Sequence, residues 1–164
     1  MPLEALAADV RFRSLTAHRK RRIAGFQVTP HPLHHPGDAY AYRIQSNGKT
    51  LVYASDATYA NLSQDVMESY YDFYRGADAL VFDAYFALIE SYEKSDWGHS
   101  SSFIGVDIAL CAGVKRLILF HHDPASDDDR LEALLASTQK YLKHVAPDSD
   151  CEVILGHEGL ELDL

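Results

Sequence analysis

Apolar and polar residues follow one rhythm in the first third of this chain and another afterwards. Short alternating runs at 25–29, 40–45 and 50–54 read as strands. The last two flank Asn47-Gly48, the dipeptide best suited to a two-residue hairpin turn. Between the first two lies a proline- and histidine-rich stretch, 31–37, expected to be a loop. From residue 62 the spacing becomes helical and stops at Gly76, a residue suited to the left-handed position that ends a helix. The compact apolar run 79–83 fits a buried strand. A second helix over 101–112 meets Gly113, and a second buried strand follows at 117–120. Ser126 and Asp129 form a capping pair for a helix reaching about His144. Residues 152–155 and 160–164 read as closing strands around Gly156-His157-Glu158-Gly159. Hairpins first and strand–helix–strand units afterwards predict an α/β fold, a mixed sheet covered by helices.

Composition narrows the class. A chain of 164 residues, 47% hydrophobic and 24% charged, fits one globular domain with a real core. No apolar run approaches the ~18 residues of a membrane span, and the first ten residues lack a signal-peptide layout, so a cytoplasmic protein is expected. Cys111 and Cys151 stand in apolar stretches without metal-like spacing and read as buried free thiols, in keeping with a reducing compartment. Residues 1–22 carry a balance of +4, so the remainder holds −13 of the net −9. That basic stretch reads as an arm able to meet nucleic acid, or as a solvated leader. Apart from Phe12, no aromatics interleave with its arginines, and the acidic body repels a polyanion.

Chemistry concentrates at three places in the second two thirds. Asp56 follows the strand ending at Ala54, and His121 follows Leu117-Ile118-Leu119-Phe120 directly. His99 precedes three serines that can cap the next helix. A carboxylate and histidines delivered from strand ends suit a metal-assisted hydrolytic site. Each has a plainer reading too: Asp56 as a turn or cap residue, His121-His122-Asp123-Pro124 as a turn, His99 as a loop histidine. Tyr70, Tyr71, Phe73 and Tyr74 read as packing, and Asp127-Asp128-Asp129 as serving a helix dipole.

Taken in order, five segments are similar to the C-terminal half of the metallo-β-lactamase superfamily, on its ribonuclease Z-like phosphodiesterase branch. They are His35-Pro36-Gly37 with Tyr42-Arg43-Ile44, Leu51 to Asp56, Val81-Phe82-Asp83-Ala84, Gly98-His99-Ser100-Ser101, and Leu119 to Pro124. The resemblance covers 26–164 and leaves 1–25 as the basic arm. It implies half of an αββα sandwich whose bare sheet face is covered by a second copy of the chain or by a complementing N-terminal half. It implies that Asp56 and His121 ligate a divalent metal, zinc or manganese. By the same match His99 contacts the scissile phosphate or protonates the leaving group, and Asp83 orients His99. The family's His-x-His-x-Asp-His cluster is absent from these residues. The nearest approach, His31-Pro32-Leu33-His34-His35, has a different spacing. The expectation is therefore the C-terminal part of a metal-dependent phosphodiester hydrolase, silent as an isolated chain. The alternative is a non-catalytic binding or assembly module built on the same fold.

Overall fold

Seven strands pair in the order in which they occur along the chain. The computed structural model describes residues 10, 12–59, 61–86 and 98–164. Most of the segment read as a basic arm is described, but 1–9 and Arg11 lie outside the described residues; the segment ends in the short strand β1 (Arg21–Ile23). Strands β1, β2 (Phe26–Leu33), β3 (Ala39–Ser46) and β4 (Lys49–Ala54) form an antiparallel meander. Then β5 (Ala79–Asp83), β6 (Arg116–Phe120) and β7 (Glu152–Leu155) continue the sheet in parallel with β4. Helices α1 (Gln64–Tyr74), α2 (Ser102–Ala112) and α3 (Asp128–Val145) are the three crossovers. The expected mixed sheet with helices is the observed architecture.

Local chemistry explains most element ends. Asn47 and Gly48 both take positive φ, 51° and 77°, as the tight β3–β4 hairpin turn demands. Gly113 closes α2 in the left-handed conformation, its N–H donating to Ala109 O and Leu110 O. Ser101 Oγ accepts from Ile104 N at the other end of that helix.

Four sequence expectations are corrected. Strand β2 runs through Pro30, His31 and Pro32 to Leu33, where a loop was expected. The prolines are tolerated because they alternate, so their missing N–H groups point away from β3; Pro30 O, on that outer side, accepts from His18 N at 2.8 Å. Helix α3 is capped one residue later than expected, by Asp127, whose carboxylate accepts from Arg130 N at 2.9 Å. Residues 160–164 form no strand: Gly159 turns the chain at φ 80°, and the segment lies beyond β7 without ladder pairing. Cys111 is exposed and Cys151 half-buried, because Cys111 falls on the solvent side of α2. Both are free thiols.

The register sorts the sheet into two faces. Ala41, Val52, Leu80, Phe82, Leu117, Leu119 and Val153 share one face and are buried with Tyr70 and Tyr74 of α1, Val106 and Ile108 of α2, and Leu142 of α3. Tyr70 and Tyr74 are thus packing residues. Gly105 brings α2 down onto Phe82, where a Cβ would sit 2.8 Å from the ring. Among the described residues no helix covers the opposite face. This one-sided layering leaves the C-terminal ends of β4, β5 and β6 open at one rim of the sheet, where ligands gather in α/β folds.

Candidate metal centre

Asp56 lies two residues beyond β4 and His121 immediately beyond β6. Both adopt left-handed backbone, φ 55° and 56°. Non-glycine residues held in that region cost about 1 kcal/mol or more each, and such strain collects at functional sites. Its effect here is directional. The left-handed step turns each side chain back across the rim, and Asp56 Oδ1 meets His121 Nε2 at 3.2 Å. Ser55 Oγ donates to the other carboxylate oxygen of Asp56 at 3.1 Å.

His99 arrives from the loop before α2. Its Nδ1 lies 2.8 Å from Asp83 Oδ2, at the end of β5. The Asp83 carboxylate is fully buried and accepts two further bonds, from Ala57 N to Oδ2 and from Tyr85 N to Oδ1, each at 3.2 Å. Burial raises its pKa, while the His99 contact, the Ala57 bond and the charge of His121 act the other way. A carboxylate on Nδ1 fixes the imidazole tautomer and leaves Nε2 for other work. The Tyr85 ring stacks on His99, 4.6 Å between centroids and 15° between planes, and the His99 and His121 rings lie 5.1 Å apart.

The structure therefore brings together all four residues singled out from sequence. Asp56, His99 and His121 can each offer one donor atom, and the three atoms lie within 4.8 Å of one another. One carboxylate oxygen and two imidazole nitrogens suit zinc or manganese, so this donor set fits a divalent metal. Of the adjacent histidines, His121 turns to Asp56, whereas His122 turns inward, and burial lowers its pKa.

Sequence reasoning passed over two contributors. His35, in the β2–β3 loop, donates from Nδ1 to Gly98 O at 3.0 Å, and its ring lies 5.5 Å from that of His99. The sequence places His35 in a family-like hairpin segment and in a histidine-rich stretch whose spacing is wrong for ligands, and neither reading assigns it a contact to the loop that carries His99. Gly98 is the second: with φ 87°, its missing Cβ would stand 2.3 Å from His35 Nδ1 and 2.4 Å from Pro36 Cδ. A glycine directly before a candidate histidine was the available clue.

A sheet that delivers Asp56 and His121 from the ends of parallel strands, with His99 joining them from the loop before α2, defines a hydrolase-like α/β fold with a candidate metal site. The chain belongs to the metallo-β-lactamase superfamily, on its ribonuclease Z-like branch: the beta-lactamase superfamily domain model matches residues 1–122. Ribonuclease Z of Bacillus thuringiensis (strain Al Hakam) is 28% identical over 103 residues, 63% of this chain and 31% of that protein. The metallo-beta-lactamase fold protein YhfI from Bacillus subtilis superposes with a TM-score of 0.68 at 25% identity, over 89% of this chain and 53% of its own. Zinc-bound PqqB from Methylobacterium extorquens shares the fold, with a TM-score of 0.59 and 19% identity over 93% of this chain and 52% of its own. The chain spans about a third of the length of the curated relatives it matches. No helix among the described residues is long and apolar enough to cross a membrane.

Proposed function

We propose that this chain is the C-terminal part of a metal-dependent phosphodiester hydrolase, using zinc or manganese. The observation that carries the reading is the convergence of Asp56, His99 and His121 at the rim of the parallel strands, with Asp83 behind His99. A divalent metal held there supplies Lewis acidity toward a phosphoryl oxygen and an acidified water. Asp56 and His121 would hold that metal. His99 Nδ1–H donates to Asp83, which turns Nε2 toward the phosphoester; in the protonated ring that nitrogen also carries a proton and can give it to the departing oxygen. The Tyr85 ring covers one face of the imidazole and keeps water from it. With His99 kept for the leaving group, Asp56 and His121 are two donors among the described residues, short of a two-metal centre, so the reading calls for ligands from a second chain or a further segment. The free cysteines suit a reducing cytoplasm.

Native mass spectrometry after zinc or manganese loading tests the reading, since it counts metal and subunits together. Metal is expected to bind, and His121→Ala is expected to weaken it by at least about 10-fold. Unchanged affinity in that variant would overturn the ligand assignment. This chain with manganese and no complementing segment is expected to leave bis-p-nitrophenyl phosphate intact; turnover that vanishes in His99→Ala would show that the chain, alone or paired with its own copy, completes the site.

A second reading, a non-catalytic assembly module, draws on the sheet face that no helix among the described residues covers, where Phe26, Tyr40, Tyr53 and Phe120 are all exposed. The two readings share that face; retention of metal distinguishes them.

A further inference from the structure

One row of residues runs straight across the sheet. Leu51 stands in its middle, on β4. Toward one edge Leu51 pairs with Ile44, Ile44 with Val28, and Val28 with Arg21. Toward the other edge Leu51 pairs with Ala79. Leu80 pairs with Leu117, so Arg116 stands beside Ala79, and Arg116 pairs with Glu152. The chain neighbours Val52, Leu80, Leu117 and Val153 belong to the core, so alternation places the row on the face that no helix among the described residues covers. The row begins on a cation at β1 and ends on a carboxylate at β7, with apolar side chains between.

The surroundings reinforce both ends. Arg19, Lys20 and Arg22 flank Arg21, all exposed, and no acidic residue occurs between Phe12 and Leu33. Glu152 is exposed, and the exposed Asp148 and Asp150 precede it. The cations near that edge are engaged or lie elsewhere. Arg116 Nε is 3.4 Å from Glu152, and its guanidinium donates to Asp163 O. Lys115 holds Asp78 at 2.7 Å, and Lys140 and Lys143 belong to α3 on the helical side. A second copy laid on this face keeps the two sheets aligned about a two-fold axis either across the strands or along them. An axis across the strands sets Arg21 against Arg21 and Glu152 against Glu152, like charge on like at both edges. An axis along the strands reverses the row. Each Arg21 then faces Glu152 of the other copy, Ile44 faces the small Ala79, and the aliphatic stem of Arg116 lies over Val28.

We infer that two copies of this chain pack face to face about an axis parallel to the strands, with the Arg21 edge of each over the Glu152 edge of its partner. That axis leaves the strand ends of both copies pointing the same way, so the two Asp56–His99–His121 rims lie together at one end of the pair. The pairing stands on charge and register alone, whether or not the hydrolase reading holds.

The test is cross-linking of the full chain carrying Cys111→Ser and Cys151→Ser, with a short bismaleimide that spans the ~10 Å between stacked sheets. Arg21→Cys mixed with Glu152→Cys should give a covalent dimer, and either variant alone about a tenth as much or less. The mixed pair keeps one Arg21–Glu152 contact intact. Asp150→Cys serves at the same edge should Glu152→Cys fail to fold. In the parent background, Arg21→Glu should raise the dimer Kd about tenfold or more in analytical ultracentrifugation, and added salt should weaken the parent dimer. Self-linking of Arg21→Cys as efficient as the mixed reaction would give the axis across the strands. An Arg21→Glu dimer as tight as the parent would remove the charge pairing, and a parent protein monomeric at micromolar concentration would give the face to another cover. Each of these overturns the inference. A cross-linked dimer that takes up no zinc would leave the pairing in place and overturn the hydrolase reading instead.

Discussion

Gly98 shows how one residue sets the geometry of the site. Its positive φ and its missing side chain let the His35 ring and Pro36 lie directly against the backbone that carries His99. His35 then ties the loop down through Gly98 O. Gly98→Ala places a Cβ within 2.4 Å of two neighbours at φ 87°. The loop must move, and the movement is transmitted to the Nδ1–Asp83 contact one residue on. The expected outcome is a loss of about 2–4 kcal/mol in urea unfolding. The imidazole proton signal from His99 Nδ1 should also disappear. A variant with parental stability and an intact signal would show that the clamp is incidental. His99 and Asp83 were legible in the sequence because their motifs are short and local. His35 and Gly98 were not, since their relation spans 63 residues and exists only once the β2–β3 loop folds over the rim.

At the scale of elements, the union of β2 with α1 carries a titration. His31 points from β2 into the sheet's helix-covered side, stacks on Phe73 at 4.6 Å and meets Ser69 Oγ at 3.2 Å. Burial, and then the neighbouring His18, push its pKa down to about 4 from an ordinary 6.5. A base whose pKa is depressed on folding contributes stability that is complete above its unfolded value. That contribution fades as pH falls from 6.5 toward 4. The urea midpoint of the parent protein should fall across this window, and His31→Phe should flatten the fall. Parallel acid limbs in the two proteins would remove His31 as the cause. The same element marks where sequence reasoning stopped early. Alternation and turn residues disclosed the helices, the Asn47-Gly48 hairpin and the parallel strands. Pro30 and Pro32 suggested a loop, because only the neighbouring strands decide whether a missing N–H falls on the paired or the open side.

Among the described residues, the molecule is a sheet with helices on one side only. Phe26, Tyr40, Tyr53 and Phe120 point to the side without helices and are 47%, 41%, 37% and 38% exposed, with Val28, Tyr42, Ile44, Leu51, Val81 and Ile154 half-buried among them. An apolar surface running across six strands exceeds what a soluble monomer ordinarily leaves to water. A second copy of this chain is the proposed cover. The chain spans 53% of YhfI, so a second copy has about the size of what such a fold adds, and it presents the same face for a two-fold, self-complementary contact. Tyr53 and Phe120, 6.3 Å apart edge to face, sit where that contact would centre on β4, β5 and β6. Light scattering after size exclusion at micromolar concentration should give the mass of a dimer. Tyr53→Lys should give a monomer with unchanged helical circular dichroism, because a lysine on that face would have to be buried without a partner. A monodisperse monomer in the parent protein would refute the pairing, and a dimer that survives both Tyr53→Lys and Phe26→Lys would place the interface elsewhere. If the pairing holds, each copy's rim of Asp56, His99 and His121 borders the seam between two sheets, the place where a partner's side chains can add the ligands that one chain lacks.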